Sequence, residues 1–406
     1  MRVLLASRGS RGDIEPLAGL AAALVAHDAD VVVAAPPDRE FTDLLARAGA
    51  RRLPVDAPIR EMVQNIAKGT GPGMRQHIAE ILESHGPAFT AVAEEGCDAI
   101  IATGLFPVVA TAQAVAERHG IPFASAALQP TTLPSHTRRP FPMPGWPLPE
   151  GVSDNRELWE WDKRKMQAIF GEPVNAFRAS IGLPATDDVR TGTLTDHRWL
   201  ATDPVLSPWE PTDLVDVVQT GAWVLPDERP LPAGLEAFLD AGRPPVYIGF
   251  GSIPVRDAEA TARAVVASVR AHGRRAVLSR GWARLAPIDR GDDCFVVDEV
   301  NQQALFARAA AIVHHGGAGT THTATRSGTP QVVVPQIVDQ PYWAGRVAEL
   351  GVGARHEDPV PTTETLTAAL ETALAPETRQ RAAEVGPTIR TDGADAAAGL
   401  VFDMAA

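Results

Sequence analysis

The stretch Ala311-Ile312-Val313-His314-His315-Gly316-Gly317-Ala318-Gly319-Thr320-Thr321 decides the fold. Three apolar residues run into two histidines. Three glycines within four positions follow, and then hydroxyl residues that open a helical pattern over 320–327. A short apolar run closed by glycine reads as a strand buried on both faces. A Gly-rich exit from such a strand into a helix is a βα turn. It exposes backbone N–H groups at the positive end of the helix dipole, where phosphate oxygens bind well.

The same alternation continues on both sides of this stretch. Upstream lie strand patterns at 245–250, 275–278 and 294–297, with helical patterns at 257–272 and 301–307. Downstream come a strand at 331–335, a helix at 341–350 and an Ala-rich helical region from 361. The first half repeats the scheme. Its strands fall at 3–6, 30–35, 98–103 and 121–127, and its helices at 16–27, 42–48 and 106–119. A further helix over 156–181 is expected to break at 171–173, where Gly171 and Pro173 sit. Strands alternating with helices imply parallel sheets covered on both faces. The fold class is therefore α/β, with two doubly wound, Rossmann-like domains and a cleft between them. The Pro-rich stretch 204–232 separates the two series. The expected division is a first domain over 1–205, a linker over 206–226, a second domain over 227–385, and a segment over 386–406 returning to the first.

Composition narrows the function. The 406 residues suffice for two or three domains. A net charge of −13 argues against nucleic acid or an anionic membrane as the main partner. Cys97 and Cys294 are far apart, which excludes a disulfide framework and a Cys-rich zinc site. No apolar run reaches the ~18 residues of a membrane span, and the N-terminal one is too short for a signal peptide. A cytoplasmic location is expected.

Two more strand exits are Gly-rich: Ser7-Arg8-Gly9-Ser10-Arg11-Gly12-Asp13 and Gly249-Phe250-Gly251-Ser252. Each loop taken singly reads more readily as a tight βα turn. Two in one half, with His315 attached, favour a diphosphate ligand, to which Ser252 and Thr320 add hydroxyls. The rivals fit less well. Gly9 and Gly12 supply only part of a dinucleotide fingerprint, although Asp38 is a passable acid after the second strand. No G-x-x-x-x-G-K-[ST] run exists, and Arg8 stands where a nucleophile elbow around Ser10 needs glycine. His314 and His315 are adjacent on a strand and point to opposite faces, which disfavours a zinc site. No metal is expected.

Segments of the chain resemble a known family. They are Gly9-Ser10-Arg11-Gly12-Asp13-Ile14-Glu15-Pro16, His314 to Thr321, and Ser327-Gly328-Thr329-Pro330 with Val338-Asp339-Gln340-Pro341. They are similar to the inverting, nucleotide-sugar-dependent glycosyltransferases of family 1, which have the GT-B fold. Gln219-Thr220-Gly221-Ala222-Trp223, Asp227 to Leu231 and Leu278 to Trp282 resemble the bacterial members that decorate glycopeptide antibiotic aglycones of the vancomycin group. The resemblance covers nearly the whole chain and is weakest over 54–86 and 130–184.

It implies an acceptor-binding first domain and a second domain that holds a UDP- or dTDP-sugar. His315, Gly317, Gly319 and Thr320 would hold the diphosphate, with Ser252, Ser10 and Arg11 completing the anion site. Val297 to Val300 would meet the nucleobase through backbone groups. Asp339 and Gln340 would grip sugar hydroxyls, as for a glucose-like donor, and Asp13 would be the general base. The partners implied are a nucleotide sugar and a small-molecule aglycone, with no cofactor.

The chemistry suits these residue types. A partly desolvated carboxylate can take the proton of an attacking hydroxyl. Neutral donors and a helix N-terminus can stabilise a departing diphosphate without a metal. Other readings stay open. Asp13 would serve equally as a helix cap, Arg11 as a solvated charge, and Gln340 as a cap for the helix near 341. His322 reads as a packed helix residue. The stretches 61–73 and 140–149 suit walls for a large aglycone or plain surface linkers. A sterol, macrolide or glycolipid acceptor, an epimerase of the same fold and a catalytically silent helper protein are the alternatives.

Overall fold

The computed structural model describes residues 1–406 except 68–72, 144, 253–256 and 290. Most of the stretch 61–73, and all but one residue of 140–149, lie within the described residues. The chain divides into two compact units. The first is Met1–Pro204, Pro208–Leu225 and Thr391–Ala406, and the second is Val205–Ser207 and Pro226–Arg390. The expected linker 206–226 is thus shared out. Most of it packs with the first unit, because Ala222 and Trp223 are buried there, and Trp199 stacks edge-on against Trp223. The second unit ends at Arg390, five residues beyond the expected boundary at 385.

The first unit runs β1 (Arg2–Ala6), α1 (Arg11–Val25), β2 (Asp30–Ala35), α2 (Arg39–Arg47), β3 (Arg51–Pro54), α3 (Ile59–Ala67) and α4 (Met74–Glu94). It continues with β4 (Ala99–Thr103), α5 (Phe106–His119), β5 (Phe123–Ala127), α6 (Asn155–Ser180), α7 (Val189–Gly192), β6 (Arg198–Leu200) and β7 (Val218–Gln219). The strands form one parallel sheet in the order β3-β2-β1-β4-β5-β6-β7. Val3 to Ala6 and Ala99 to Thr103 are fully buried, which is why they read as unbroken apolar runs rather than alternating ones.

Two expectations change here. The helix α1 begins at Arg11, five residues before 16, with Pro16 inside it. Pro16 suggested a first helical position, but the Ser10–Asp13 cap starts the helix earlier. The helix α6 runs unbroken through Gly171 and Pro173. Its Leu158, Trp159, Met166, Phe170 and Val174 are buried along one face, and that packing outweighs the helix-breaking tendency of Pro. The 21-residue α4 and the short β3 carry no clear sequence signal.

The second unit runs α8 (Ala233–Asp240), β8 (Val246–Gly249), α9 (Ala258–Ala271), β9 (Ala276–Ser279), β10 (Cys294–Val297), α10 (Gln302–Phe306) and β11 (Ala311–His314). Then come α11 (Ala318–Arg326), β12 (Gln331–Val333), α12 (Gln340–Glu349), β13 (Gly353–Arg355), α13 (Thr363–Leu374) and α14 (Pro376–Val385). Its parallel sheet has the order β10-β9-β8-β11-β12-β13. Val265, Val266, Val269, Leu366 and Leu370 of α9 and α13 cover one face, while Leu235, Leu239, Leu305 and Phe306 cover the other. Each such side chain contributes about 1.5–3 kcal/mol when fully buried. The final helix, α15 (Gly393–Ala405), belongs to the first unit and packs on α1.

Strand order reverses between β1 and β4 in the first unit, and between β8 and β11 in the second. In doubly wound sheets the carboxyl ends of strands at such a switch point form the ligand-binding crevice. All three Gly-rich loops leave one of these four strands.

Candidate active site

In the second unit the phosphate-type loop follows β11. The helix α11 starts at Ala318 with Gly317 as its N-cap, so Thr320 stands in the third helical position, two residues into the helix. The N–H groups of Ala318, Gly319 and Thr320 belong to the first turn, which has no intrahelical acceptors. The first helical bond is from Thr321 N–H to the Gly317 carbonyl, 2.9 Å. Thr320 is half-buried and Gly319 exposed, so this turn is open to a ligand.

His315 projects from the opposite face of the chain to His314, their ring planes at 88°. Its ring lies where only glycines leave room. A Cβ at Gly317 would stand 2.6 Å from Nε2, and one at Gly251 would stand 2.8 Å from Cε1. The β11 and β8 exits therefore clamp the imidazole between them. Nδ1 is enclosed without a hydrogen-bond partner. Burial pushes His315 down to about 4, against the opposing pull of the Gly249 carbonyl. The ring is neutral at pH 7, with Nε2 over the start of α11. Ser252, half-buried, follows Gly251 on the β8 exit.

Val297 ends β10, and the side chains of Val297 and Val300 are core residues packed with Tyr247 and Leu305. The Val297 carbonyl accepts from the Arg280 N–H, 2.9 Å. Any contact with a base would therefore use the remaining backbone groups of 297–300.

The β12–α12 turn is tightly organised. Val338 has φ 54, a left-handed conformation unusual for a β-branched residue. Gln340 holds this turn: its Oε1 accepts from the N–H groups of Gln336 at 2.7 Å and Ile337 at 3.1 Å. Asp339 Oδ2 accepts from Trp343 Nε1 at 2.7 Å, and burial raises its carboxyl above the usual range. Both side chains thus brace their own turn. The capping alternative for Gln340 takes a different form, since its oxygen serves the turn before the helix. His322 is buried, its Nδ1–H donating to the Ala318 carbonyl and its ring stacking edge-on with Trp343, as a packed helix residue does.

In the first unit, Asp13 is the third residue of α1. Its Oδ2 accepts from the Ser10 N–H at 2.9 Å, the return half of a capping box around Ser10. The carboxylate lies directly over Gly9, which has φ 146. A Cβ there would stand 2.0 Å from Oδ2. The capping reading of Asp13 is therefore realised, and it leaves the carboxylate at the head of the helix on the switch-point edge. Arg11, in the first helical position, ion-pairs with Glu15 at 3.3 Å, with both side chains partly exposed.

Sequence reasoning missed Arg8. It leaves β1 buried and pairs with Asp56 at 2.8 Å and with His77 Nε2 at 2.7 Å. A buried arginine among apolar strand residues looks like a loop charge until the fold shows its partners. Asp38 receives the N–H groups of Ile59 and Arg60, which gives it a structural role at the head of α3. Among the described residues no group of three His, Cys, Asp or Glu is arranged to hold a metal ion. No helix among them is long and apolar enough to cross a membrane.

Comparison with known proteins gives the family. Residues 289–392 match the domain described as Erythromycin biosynthesis protein CIII-like, C-terminal domain. Glycosyltransferase GtfE of Amycolatopsis orientalis is 52% identical, covering 99% of this chain and 97% of its own. Vancomycin aglycone glucosyltransferase of the same organism is 49% identical at the same coverage. The dTDP-epi-vancosaminyltransferase of that organism is 47% identical, covering 99% of this chain and 97% of its own. Among solved structures, the glycotransferase of kitacinnamycin superposes with a TM-score of 0.72 at 22% identity, covering 99% of this chain and 98% of its own. Glycosyltransferase VinC in complex with dTDP gives 0.71 at 21% identity, covering 100% and 99%. These structural likenesses establish the GT-B fold. With about half its residues identical across nearly its whole length, this chain belongs to the glycosyltransferase family that includes GtfE and the vancomycin aglycone glucosyltransferase, and it is a glycosyltransferase.

Proposed function

We propose that this chain transfers a hexose-type sugar from a UDP- or dTDP-sugar to a hydroxyl of a glycopeptide aglycone, with inversion and without a metal, in the cytoplasm. The observation that carries this reading is the whole-length identity of 49% to an enzyme acting on the vancomycin aglycone.

The donor is assigned to the second unit. The first-turn N–H groups of Ala318, Gly319 and Thr320, the Thr320 and Ser252 hydroxyls and His315 Nε2 hold the diphosphate. They neutralise the charge that grows on it as the glycosidic bond breaks. Because His315 is neutral, it donates without adding a fixed cation that would also hold the product. The backbone of 297–300 meets the base. Asp339 offers its second carboxylate oxygen to a sugar hydroxyl, with Gln340 beside it.

Asp13 is the general base in this reading. It removes the proton from the acceptor hydroxyl as the oxygen attacks the anomeric carbon from the face opposite the leaving diphosphate. A single displacement inverts the centre and needs one carboxylate. Ser10 and Arg11, at the head of α1, form an anion-binding pair beside it.

The test is incubation with UDP-glucose, dTDP-glucose and dTDP-deoxysugars against glycopeptide, macrolide and sterol acceptors, read by mass spectrometry. A hexose-type mass gain on a glycopeptide aglycone, unaffected by EDTA, is expected. Gain only on another acceptor class, turnover of donor without acceptor, or loss in EDTA restored by magnesium would overturn the corresponding part.

A further inference from the structure

His314 takes no part in the donor site described above, yet it is fully buried at the end of β11 and makes two hydrogen bonds. The Gly316 N–H, which can only donate, points at His314 Nδ1 at 3.1 Å. Nδ1 therefore accepts, and the ring proton sits on Nε2. Nε2–H donates to Gln331 Oε1 at 2.9 Å, which orients that amide. Gln331 Nε2 donates to Thr325 Oγ1 at 2.9 Å. The Thr325 hydroxyl donates to the Thr321 carbonyl at 2.8 Å, and the Thr321 hydroxyl donates to the Gly317 carbonyl at 2.9 Å. The circuit runs in one direction from the Gly316 N–H to the Thr321 carbonyl, and the hydroxyl of the same Thr321 closes on Gly317. His314, Gln331, Thr321 and Thr325 are each at most 2% exposed.

We propose that His314, held as the neutral Nε2–H tautomer by Gln331, is a positioning residue that sets the Gly316–Gly317 turn and thereby aims the first-turn N–H groups of α11 at the donor diphosphate. The proposal rests on the donor assignment made above. Gly316 stands at φ 90, and a Cβ there would meet Val333 Cγ1 at 2.7 Å, so the turn has one conformation to keep. The circuit fixes it from both sides. The Gly316 N–H is consumed by His314, and the Gly317 carbonyl is held by Thr321. A protonated ring would present N–H to N–H at Gly316, and burial opposes this by pushing His314 down to about 3. None of the four side chains needs to touch the ligand.

The test separates the two ends of the imidazole. In His314→Asn the amide oxygen replaces Nδ1 and still accepts from Gly316. In His314→Gln the amide nitrogen replaces Nε2 and still reaches Gln331, but Gly316 loses its acceptor. Calorimetry with UDP and dTDP, donor and acceptor KM, kcat and a thermal melt are measured for each. His314→Asn should bind the nucleoside diphosphate within about threefold of the parent. His314→Gln should bind it roughly tenfold or more weakly, the scale of a buried N–H left unsatisfied, with acceptor KM unchanged. Equal diphosphate affinity in the two folded variants overturns the proposal. Should His314→Gln not fold, Thr321→Val removes with the same shape the hydroxyl that holds the Gly317 carbonyl at the other end of the turn, and unchanged diphosphate affinity there overturns the proposal equally. Failure of the donor assignment itself would appear differently, as no diphosphate binding by the unmodified protein.

Discussion

The substitution Asp13→Asn separates chemistry from architecture. In the structure one carboxylate oxygen, Oδ2, accepts the Ser10 N–H at 2.9 Å and lies against Gly9. Asparagine has the same shape and keeps an oxygen acceptor, so the start of α1 survives. Replacing a charge-assisted bond by a neutral one costs about 1 kcal/mol of stability. The proton acceptor, by contrast, is lost outright. General-base catalysis contributes roughly 10²–10⁴-fold, or about 3–5 kcal/mol of barrier. Initial rates of glycosylated product, a thermal melt and calorimetry with the nucleoside diphosphate should therefore diverge. Turnover should fall by roughly two to four orders of magnitude, while melting and diphosphate affinity stay close to the parent. Asp13→Ala should lose both turnover and some stability, because the cap goes too. Near-parental turnover of Asp13→Asn would refute the base and leave Asp13 as a cap only.

Three further outcomes are expected. His315→Ala should weaken binding of the nucleoside diphosphate by about 1–3 kcal/mol, the scale of one hydrogen bond to a charged group, and unchanged affinity in calorimetry would remove His315 from the donor site. Arg8→Met should destabilise the first unit by about 3 kcal/mol, since it leaves the buried Asp56 carboxylate without its arginine and facing, among the described residues, only His85; a denaturant midpoint equal to the parent's would show that the pair holds nothing. Stability should also fall with acid. His314 and His315 titrate near 3 and 4 in the folded chain, against about 6.5 when unfolded. Below pH 6.5 the unfolded chain binds protons that the native rings refuse, so their contribution is full above pH 6.5 and drains away down to pH 3–4. His314→Asn should make that acid limb shallower in denaturation curves taken between pH 7.5 and 5, and an unchanged slope would contradict the assignment.

Much of the site was legible before any coordinates. The apolar runs at 3–6 and 311–314, their glycine exits and the helices behind them follow from local periodicity, which needs no distant partner. Opposite faces for His314 and His315 follow from the two-residue repeat of a strand. What local pattern could not supply was anything set by a neighbour far along the chain. Pro16 suggested a helix start, although Ser10-Arg11-Gly12-Asp13 carries the capping-box spacing that begins the helix earlier. The helix α4 and the buried Arg8 were missed because their partners lie tens of residues away. That the Gln340 oxygen also braces the left-handed turn at Val338 was likewise not legible in the sequence.

The sequence by itself therefore determined the parallel α/β class, the glycine-rich loops, the family and the residue types able to carry a base and a diphosphate. Only the tertiary structure decided strand order, and with it the placing of those loops at the two switch points. Only it joined His314 to Gln331, seventeen positions away, through the pairing of β11 with β12. The reason is physical: helix and strand periodicity arise from bonds between near neighbours, whereas register, burial and hydrogen-bond partners depend on which surfaces the folded chain brings together.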